Sequence, residues 1–212
     1  MEKTDKRGSL IVFEGCDRSG KTTQVTKLVE KLNREGKPTR MMRFPDRTTN
    51  IGAIINSYLT CKKELNDHAI HLLFSANRWE MEKEIMNTLK EGTNVVVDRY
   101  AYSGVAFSAA KEGFTLDWCK QPDVGLPKPD LVCFLDVTEG VARSREGFGE
   151  ERYELTHFQR KVRENYTHLC DSSWVTVSAD GTITEVEEEL YDIVSIEVNK
   201  IVKGELGKLW AE

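Results

Sequence analysis

The stretch Gly15-Cys16-Asp17-Arg18-Ser19-Gly20-Lys21-Thr22 fits the pattern G-x-x-x-x-G-K-[ST] at every fixed position. It follows an apolar run at residues 9–13 and precedes a helical pattern whose apolar stripe is formed by Val25, Leu28, Val29 and Leu32. A strand, a glycine-rich turn and a helix, in this order, are the context that a phosphate-binding loop requires. The alternative is a glycine turn that only joins a strand to a helix.

The spacing of this loop matches the chemistry of phosphate binding. Successive backbone N–H groups turn inward around an anion, and glycines let the chain approach it closely. The helix that begins near Lys21 adds the positive end of its dipole. We therefore predict that a nucleoside triphosphate binds here, with Lys21 on its β- and γ-phosphates and the Thr22 hydroxyl on Mg²⁺. The other predicted contacts of this ligand in the loop are Gly15, Arg18, Ser19, Gly20 and Thr23.

Further short apolar runs alternate with helical patterns along the chain. The runs lie at residues 41–44, 95–97, 131–137 and 174–177, and the helical patterns at 51–58, 68–89 and 183–202. Continuously apolar strands that alternate with helices imply a parallel sheet covered on both faces. We predict an α/β fold with a five-stranded parallel sheet, in a single domain that spans residues 1–212. The charged segment at residues 143–154 contains two glycines and is predicted to be a mobile surface loop.

Composition excludes several classes of protein. With 39% hydrophobic and 31% charged residues, the 212-residue chain has material for a core, which excludes disordered, collagen-like and coiled-coil proteins. The net charge of −5 argues against binding to a nucleic-acid polymer.

No apolar run approaches the ~18 residues that span a bilayer, and the first seven residues do not resemble a signal peptide. We expect no membrane partner and a cytoplasmic location, with the nucleus as the alternative. The five cysteines form no C-x-x-C pair, which predicts reduced and mostly buried thiols.

A phosphate-binding loop does not by itself name the reaction, because GTPases, ATPase motors and small-molecule kinases all carry one. Switch GTPases are expected to show an N-K-x-D motif, which this sequence lacks. The D-x-x-G matches lie in the N-terminal tail, at residues 5–8, and inside the loop itself, at residues 17–20. A signalling GTPase is therefore disfavoured.

Two further patterns suggest a second ligand. Asp98 ends an apolar strand, where a carboxylate either caps the next turn or holds Mg²⁺, and Arg99 follows it at once. In segment 69–79, Phe74 and Arg78 are four residues apart and so adjacent on a helix. They form either a surface cation–π pair or a site for a planar base that carries a carbonyl group. The opposite side carries an apolar stripe that is predicted to face the core, formed by Ala69, Leu72, Leu73, Ala76 and Trp79.

Several blocks of this sequence resemble the thymidylate kinases, in particular their eukaryotic and poxviral branch. The blocks are Phe-Glu-Gly-Cys-Asp-Arg-Ser-Gly-Lys-Thr-Thr (13–23), Arg-Phe-Pro-Asp-Arg-Thr-Thr (43–49), Leu-Leu-Phe-Ser-Ala-Asn-Arg-Trp-Glu (72–80), Val-Val-Asp-Arg-Tyr-Ala-Tyr-Ser-Gly-Val-Ala-Phe (96–107), Gly-Leu-Pro-Lys-Pro-Asp-Leu (125–131) and Glu-Arg-Tyr-Glu (151–154). The resemblance implies a P-loop kinase fold with a lid at about residues 143–154. It also implies a homodimer that transfers the γ-phosphoryl group of ATP to thymidine monophosphate (dTMP), with Mg²⁺ as cofactor.

The resemblance also implies roles for individual residues. Phe74 would stack on thymine and Arg78 would bond its carbonyl oxygen. The monophosphate would be clamped by Arg47 and Arg99, with Phe44 beside them. The rest of the implied dTMP site is Asp17 at the sugar 3′-hydroxyl, Tyr153 against C2′, Gly104 and Phe107.

On the ATP side, Arg145 would lie over adenine, and the turn at residues 178–181, with Asp180, would contact the adenine edge. Arg18 would supply a positive charge to the transition state. Its position in the glycine-rich loop is the feature that indicates the eukaryotic and poxviral branch. The implied catalytic set is Asp17, Arg18, Lys21 and Arg99, and the implied metal ligands are Thr22 and Asp98.

Two features depart from the pattern of the family. Cys16 stands where an aliphatic residue is expected, and the lid segment contains Glu146, Glu150 and Glu151. Two other functions stay open at this point. One is a P-loop kinase for another nucleoside or nucleotide, and the other is a nucleotide-gated binding protein.

Overall fold

Five parallel strands form the central sheet of this computed structural model, which describes residues 6–145, 152–200 and 202–211. The strands of the described residues are β1 (Lys6–Arg7), β2 (Leu10–Glu14), β3 (Thr39–Arg43), β4 (Asn94–Asp98), β5 (Leu131–Asp136), β6 (Trp174–Ser178) and β7 (Val202–Lys203), of which β1 and β7 form a separate two-stranded sheet. The helices are α1 (Lys21–Arg34), α2 (Asn50–Leu59), α3 (Asp67–Trp79), α4 (Glu82–Lys90), α5 (Ala101–Ala109), α6 (Leu116–Lys120), α7 (Glu139–Ser144), α8 (Thr156–Thr167) and α9 (Ile183–Asn199), with a 3₁₀ turn at Gln121–Asp123.

The strand order in the sheet is β3-β4-β2-β5-β6, which places β2 and its glycine-rich loop at the centre. Every residue of β2 is buried, because successive side chains point to opposite faces and helices cover both. Ile11 and Phe13 pack with residues of α1 and α9, whereas Leu10 and Val12 pack with residues of α4, α5 and α8. The predicted α/β fold is confirmed.

The structure departs from the predicted elements at several places. The helical pattern at residues 68–89 is two helices, α3 and α4, separated by Glu80 and Met81. The final helix ends at Asn199, and the short strand β7 that follows pairs with β1. Part of the predicted surface loop belongs to α7, and its residues 146–151, with all three lid glutamates, lie outside the described residues. In the part of the chain that the structure describes, no helix is both long and apolar enough to cross a membrane.

The predicted orientation of α3 is wrong. Leu72 and Trp79 are 48% and 40% exposed, and Ala69 is exposed as well. The buried face is polar instead, formed by His71, Ser75, Asn77 and Arg78 together with Ile70. Buried polar groups are tolerated when they are hydrogen-bonded, and partners for this face come from the segments that pack on it, at residues 46, 108, 119 and 123. Ala69, Leu72 and Trp79 of the predicted stripe therefore face outward, whereas Leu73 is half-buried against a cluster of Ile55, Tyr58, Leu59 and Ile70.

The five cysteines are free thiols. Three of them, Cys16, Cys119 and Cys133, are buried, whereas Cys61 and Cys170 are exposed. The prediction of reduced and mostly buried thiols is confirmed.

Candidate active site

The glycine-rich loop connects the end of β2 to the start of α1. A Cβ at Gly15, where φ is 147°, would lie 2.5 Å from the Leu135 carbonyl oxygen, so this position requires glycine. The buried Lys21 donates from Nζ to the Cys16 carbonyl oxygen at 2.6 Å and to Ser19 Oγ at 2.9 Å. Burial lowers the pKa of Lys21 to about 8, because it disfavours the charged form. An anion bound in the loop would stabilise that charged form.

A cavity of about 550 Å³ opens where β2, β3 and β4 end, which is the edge where parallel sheets bind ligands. Its lining contains most of the residues predicted for the site: Asp17, Arg18, Gly20, Lys21, Thr22, Thr23, Phe44, Arg47, Phe74, Arg78, Asp98, Arg99, Gly104, Phe107, Arg145 and Tyr153. Gly15, Ser19 and Asp180 are not among the lining residues. Asp180 instead accepts a hydrogen bond from the Thr138 backbone N–H at 2.8 Å.

Arg99 joins the loop to the first turn of α5. Its Nη2 is 2.5 Å from Asp17 Oδ1, and its Nη1 donates to the Gly15 carbonyl oxygen at 3.0 Å and to Ser103 Oγ at 3.2 Å. The backbone of Arg99 is left-handed, with φ of 67°, a conformation uncommon outside glycine. These contacts fix its guanidinium between the phosphate-binding loop and the wall formed by α5.

Glu14 supports this arrangement, and the sequence analysis did not identify it. The carboxylate is buried at the end of β2 and accepts from the backbone N–H groups of Tyr100 and Ser103, at 2.9 and 3.0 Å, and from Tyr166 Oη at 2.9 Å. Burial raises the pKa of Glu14, and the hydrogen bonds act in the opposite direction. The carboxylate thus satisfies N–H groups at the start of α5 that have no partner within the helix.

Arg78 is held by a buried ion pair. Its Nε and Nη2 donate to the two carboxylate oxygens of Asp123, at 3.1 and 2.6 Å, and the two side chains are 2% and 0% exposed. Asp123 also accepts from Ser75 Oγ at 2.8 Å. A Cβ at Gly104 would lie only 2.7 Å from Arg78 Nη2, so glycine makes room for the guanidinium. No pattern in the sequence indicates Asp123 as this partner, because it lies 45 residues from Arg78.

The Arg145 side chain contacts the backbone of Arg18 in the glycine-rich loop. The Arg18 backbone is left-handed, with φ of 59°, and its Nε donates to Glu154 Oε1 at 2.7 Å. Arg145 donates from Nη1 to the Arg18 carbonyl oxygen at 2.5 Å and from Nη2 to the Ala179 carbonyl oxygen at 2.6 Å. Arg145 therefore connects the loop to the turn after β6 in which the adenine contacts were predicted.

Thr22 and Asp98 lie together, as the metal prediction requires. Thr22 Oγ1 donates to Asp98 Oδ2 at 2.6 Å, and the Asp98 side chain is 2% exposed. Arg43, which the sequence analysis assigned no role, has its Nε 3.2 Å from Asp98 Oδ2 and also donates to Thr22 Oγ1. No cluster of three or more His, Cys, Asp or Glu side chains within residues 6–145, 152–200 and 202–211 forms a metal site.

Aromatic rings form the side of the cavity next to α5. The Tyr153 ring lies 5.7 Å from the Phe107 ring, in an edge-to-face arrangement, and its hydroxyl donates to Tyr58 Oη at 3.1 Å. The Arg99 guanidinium lies 5.3 Å from the centre of the Phe107 ring. Arg47 reaches the cavity from the segment before α2, where its Nη1 donates to Asn56 Oδ1 at 3.0 Å.

Comparison with known proteins agrees with this geometry. The family model described as thymidylate kinase matches residues 13–190. The chain is 50% identical to thymidylate kinase of Danio rerio, over 97% of this chain and 98% of the relative, and 48% identical to that of Homo sapiens over the same shares. A solved thymidylate kinase from Candida albicans is similar in structure, with a TM-score of 0.88 and 39% identity over 96% of this chain and 98% of that one.

Proposed function

The chain belongs to the thymidylate kinase family, whose reaction is the ATP-dependent phosphorylation of dTMP, and we propose that the cavity described above carries out this reaction. The γ-phosphoryl group passes from ATP to dTMP and gives dTDP and ADP. One observation supports the proposal most: a single cavity joins the loop lysine, Lys21, to a second set of cations that includes Arg47, Arg78 and Arg99. No specific observation favours another nucleotide substrate or a nucleotide-gated binding protein.

The loop between β2 and α1 is the proposed site of the ATP phosphates. Its backbone N–H groups, from Gly15 through Thr23, would surround the β- and γ-phosphates, with the Lys21 ammonium beside them. Arg145 would cover the adenine ring, since it already spans from the loop to the Ala179 carbonyl oxygen. Asp180 stays a predicted contact of the adenine edge.

The dTMP half of the cavity lies between α3 and α5. Phe74 would stack on thymine, and Arg78 would donate to a thymine carbonyl oxygen, because Asp123 occupies its Nε and Nη2 but not its Nη1. Arg47 and Arg99 would bind the monophosphate. Phe44, Gly104 and Phe107 would complete the wall, Asp17 would bind the 3′-hydroxyl, and Tyr153 would exclude a 2′-hydroxyl.

Mg²⁺ is proposed at Thr22 and Asp98. The donors fit this ion, because it prefers oxygen ligands and is usually bound by one or two protein groups, phosphate oxygens and water. The guanidinium of Arg43 against Asp98 shows that this carboxylate already attracts a cation. When bound, Mg²⁺ would neutralise charge on the β- and γ-phosphates and hold their oxygens in place.

The transfer itself needs positioned cations rather than a covalent intermediate. An oxygen of the dTMP phosphate forms a bond to the γ-phosphorus, while the bond to the β–γ bridging oxygen breaks and its electron pair leaves with ADP. Arg47 and Arg99 hold the attacking phosphate, and Lys21 stabilises charge on the leaving side. Arg18 would meet the charge that develops on the transferred group.

A coupled assay of ADP release tests the proposed function. We expect the protein with Mg-ATP to turn over dTMP, at about 1–100 per second as is typical of kinases, and to prefer dTMP over dAMP, dGMP and dCMP. The Phe74→Ala variant should raise the KM for dTMP about tenfold or more, because base–aromatic stacking contributes about 1–3 kcal/mol. Equal turnover of all four monophosphates would contradict the assignment of the base site.

The outward-facing stripe of α3 supports the homodimer that the resemblance implies. The exposed part of the stripe is formed by Ala69, Leu72 and Trp79 and presents two large apolar side chains to solvent. Exposed apolar side chains that share one face mark sites of association, and symmetric dimers use the same surface on both subunits. We propose that a second copy of this chain packs on α3.

Replacing Leu72 by Glu should weaken this dimer. The buried charge would raise the dissociation constant about 30-fold or more, as expected for a central interface residue. Analytical ultracentrifugation over a range of concentrations measures this change. Ile196→Glu is the matched control, because Ile196 is 65% exposed and lies on α9, away from the stripe. If both variants raised the dissociation constant equally, or if neither raised it, the result would argue against α3 as the interface.

A further inference from the structure

His71 is a buried histidine that the proposed reaction does not use. It lies on the inner face of α3 and is 0% exposed. Its Nε2 lies 3.0 Å from the Cys119 carbonyl oxygen, and its Nδ1 lies 2.7 Å from Ser108 Oγ. Ser108 belongs to α5, one turn after Gly104, and lines the same cavity as Arg78.

The partners of His71 determine where its proton is. A carbonyl oxygen can only accept a hydrogen bond, so Nε2 must carry the proton. Burial lowers the pKa of His71 to about 4, so the ring is neutral near pH 7 and Nδ1 carries no proton. Nδ1 is therefore an acceptor, and the Ser108 hydroxyl must be the donor of the 2.7 Å bond.

This bond determines what Ser108 can offer to a ligand. A serine hydroxyl has one proton and two lone pairs. Because the proton is directed to His71, only lone pairs are left for the cavity. The Arg78 guanidinium contacts Gly104, which precedes Ser108 by one turn of α5. The Nη1 group of Arg78 can only donate a hydrogen bond. The base end of the cavity thus presents a fixed donor beside a fixed acceptor.

We propose that Ser108 accepts a hydrogen bond from the imide N3–H of the pyrimidine, and that His71 is a positioning residue that keeps Ser108 an acceptor. The inference rests on the proposed function and adds a specificity determinant to it. Thymine and uracil carry a 4-carbonyl group and an N3–H, so they match the donor and the acceptor. Cytosine carries an amino group and an unprotonated N3 at the same places, so it would set donor against donor and acceptor against acceptor.

Calorimetric titration of Ser108→Ala with dTMP, dUMP and dCMP tests the proposal. We expect the Kd of dTMP to rise about fivefold to tenfold, the effect of one hydrogen bond. The preference for dTMP over dCMP should fall about tenfold or more, because the variant also loses the repulsion of cytosine N3. The ratio of dTMP to dUMP affinity is the internal control and should change less than twofold, since both bases carry N3–H. An unchanged preference for dTMP over dCMP would overturn the proposal.

Two variants of His71 separate positioning from packing. Asparagine places an amide oxygen near the position of Nδ1 and can keep accepting from Ser108, whereas glutamine places an amide nitrogen near Nε2 and can only keep the bond to Cys119. We expect His71→Asn to keep the preference for dTMP over dCMP and His71→Gln to lose about as much of it as Ser108→Ala. Equal behaviour of the two variants would show that His71 acts only through packing.

The same titrations distinguish this inference from the proposed function. Wild-type protein that binds dTMP no better than dAMP would overturn the proposed function itself. Wild-type protein that prefers dTMP, together with a Ser108→Ala variant of unchanged selectivity, would overturn only the role of Ser108.

Discussion

Replacing Arg18 by alanine is expected to lower kcat about a thousandfold, with changes of less than about threefold in the KM for ATP and dTMP. An arginine that meets the transferred phosphoryl group contributes about 10³–10⁵ to the rate in related chemistry, because the charge it stabilises develops only in the transition state. The Nε of Arg18 forms an ion pair with Glu154 at 2.7 Å, which orients the guanidinium beside the cavity. Single-turnover measurements, which isolate the chemical step from product release, check the prediction.

Two further variants sharpen this test. Arg18→Lys keeps a positive charge but loses the planar fork of donors, so it should recover only part of the rate. Glu154→Gln keeps Arg18 and removes the charge that orients it, so it should lower kcat less than Arg18→Ala does. A loss carried entirely by the KM for ATP would assign Arg18 to ground-state binding and contradict its role in the transition state.

Replacing Asp123 by alanine is expected to lower the free energy of unfolding by about 3–5 kcal/mol. The change would leave the buried guanidinium of Arg78 without its counterion, and removing one member of a buried pair has a cost of this size. Both side chains are almost completely buried, so solvent would compensate only in part for the lost carboxylate. Urea unfolding of the ligand-free protein measures the effect.

The double variant Arg78→Met with Asp123→Leu is the control for this prediction. Apolar residues of similar size often replace a buried ion pair without loss of stability, so the double variant should regain most of the free energy of unfolding. It should lack the preference for dTMP, because Arg78, the proposed hydrogen-bond donor to the thymine carbonyl oxygen, is replaced. A change of less than about 1 kcal/mol in Asp123→Ala would show that the ion pair does not stabilise the folded protein as predicted.

The parallel sheet and its loop could be predicted because their signals are local. Strands β2 and β4 are buried on both faces and therefore appear as continuous apolar runs. Helix α5 gave no comparable signal, because it is buried around most of its circumference and has no amphipathic period. The apolar pattern of helix α3 was misleading, because the buried face is mostly polar and Leu72 and Trp79 of the apolar stripe face outward.

The residues of the candidate site also differ in whether a local sequence signal indicates them. Lys21 and Thr22 lie in a short motif that predicts their roles directly, whereas the position of Asp98 at the end of a strand left two interpretations open. Glu14, Asp123 and His71 act through partners that are between 37 and 152 residues away in the chain. Such partnerships exist only once the helices are packed, so no periodicity or spacing could indicate them.

The left-handed backbones of Arg18 and Arg99 lower the stability of the folded protein at two positions whose side chains are proposed to act in the reaction. Non-glycine residues in this conformation raise the energy of the folded state by about 1–3 kcal/mol each, whereas glycine adopts it freely. A library selected for heat resistance alone would therefore be expected to accumulate glycine at both positions and to discard two cations that have a role in the proposed reaction. A thermostable variant of this enzyme should instead be sought at sites away from the phosphate-binding loop.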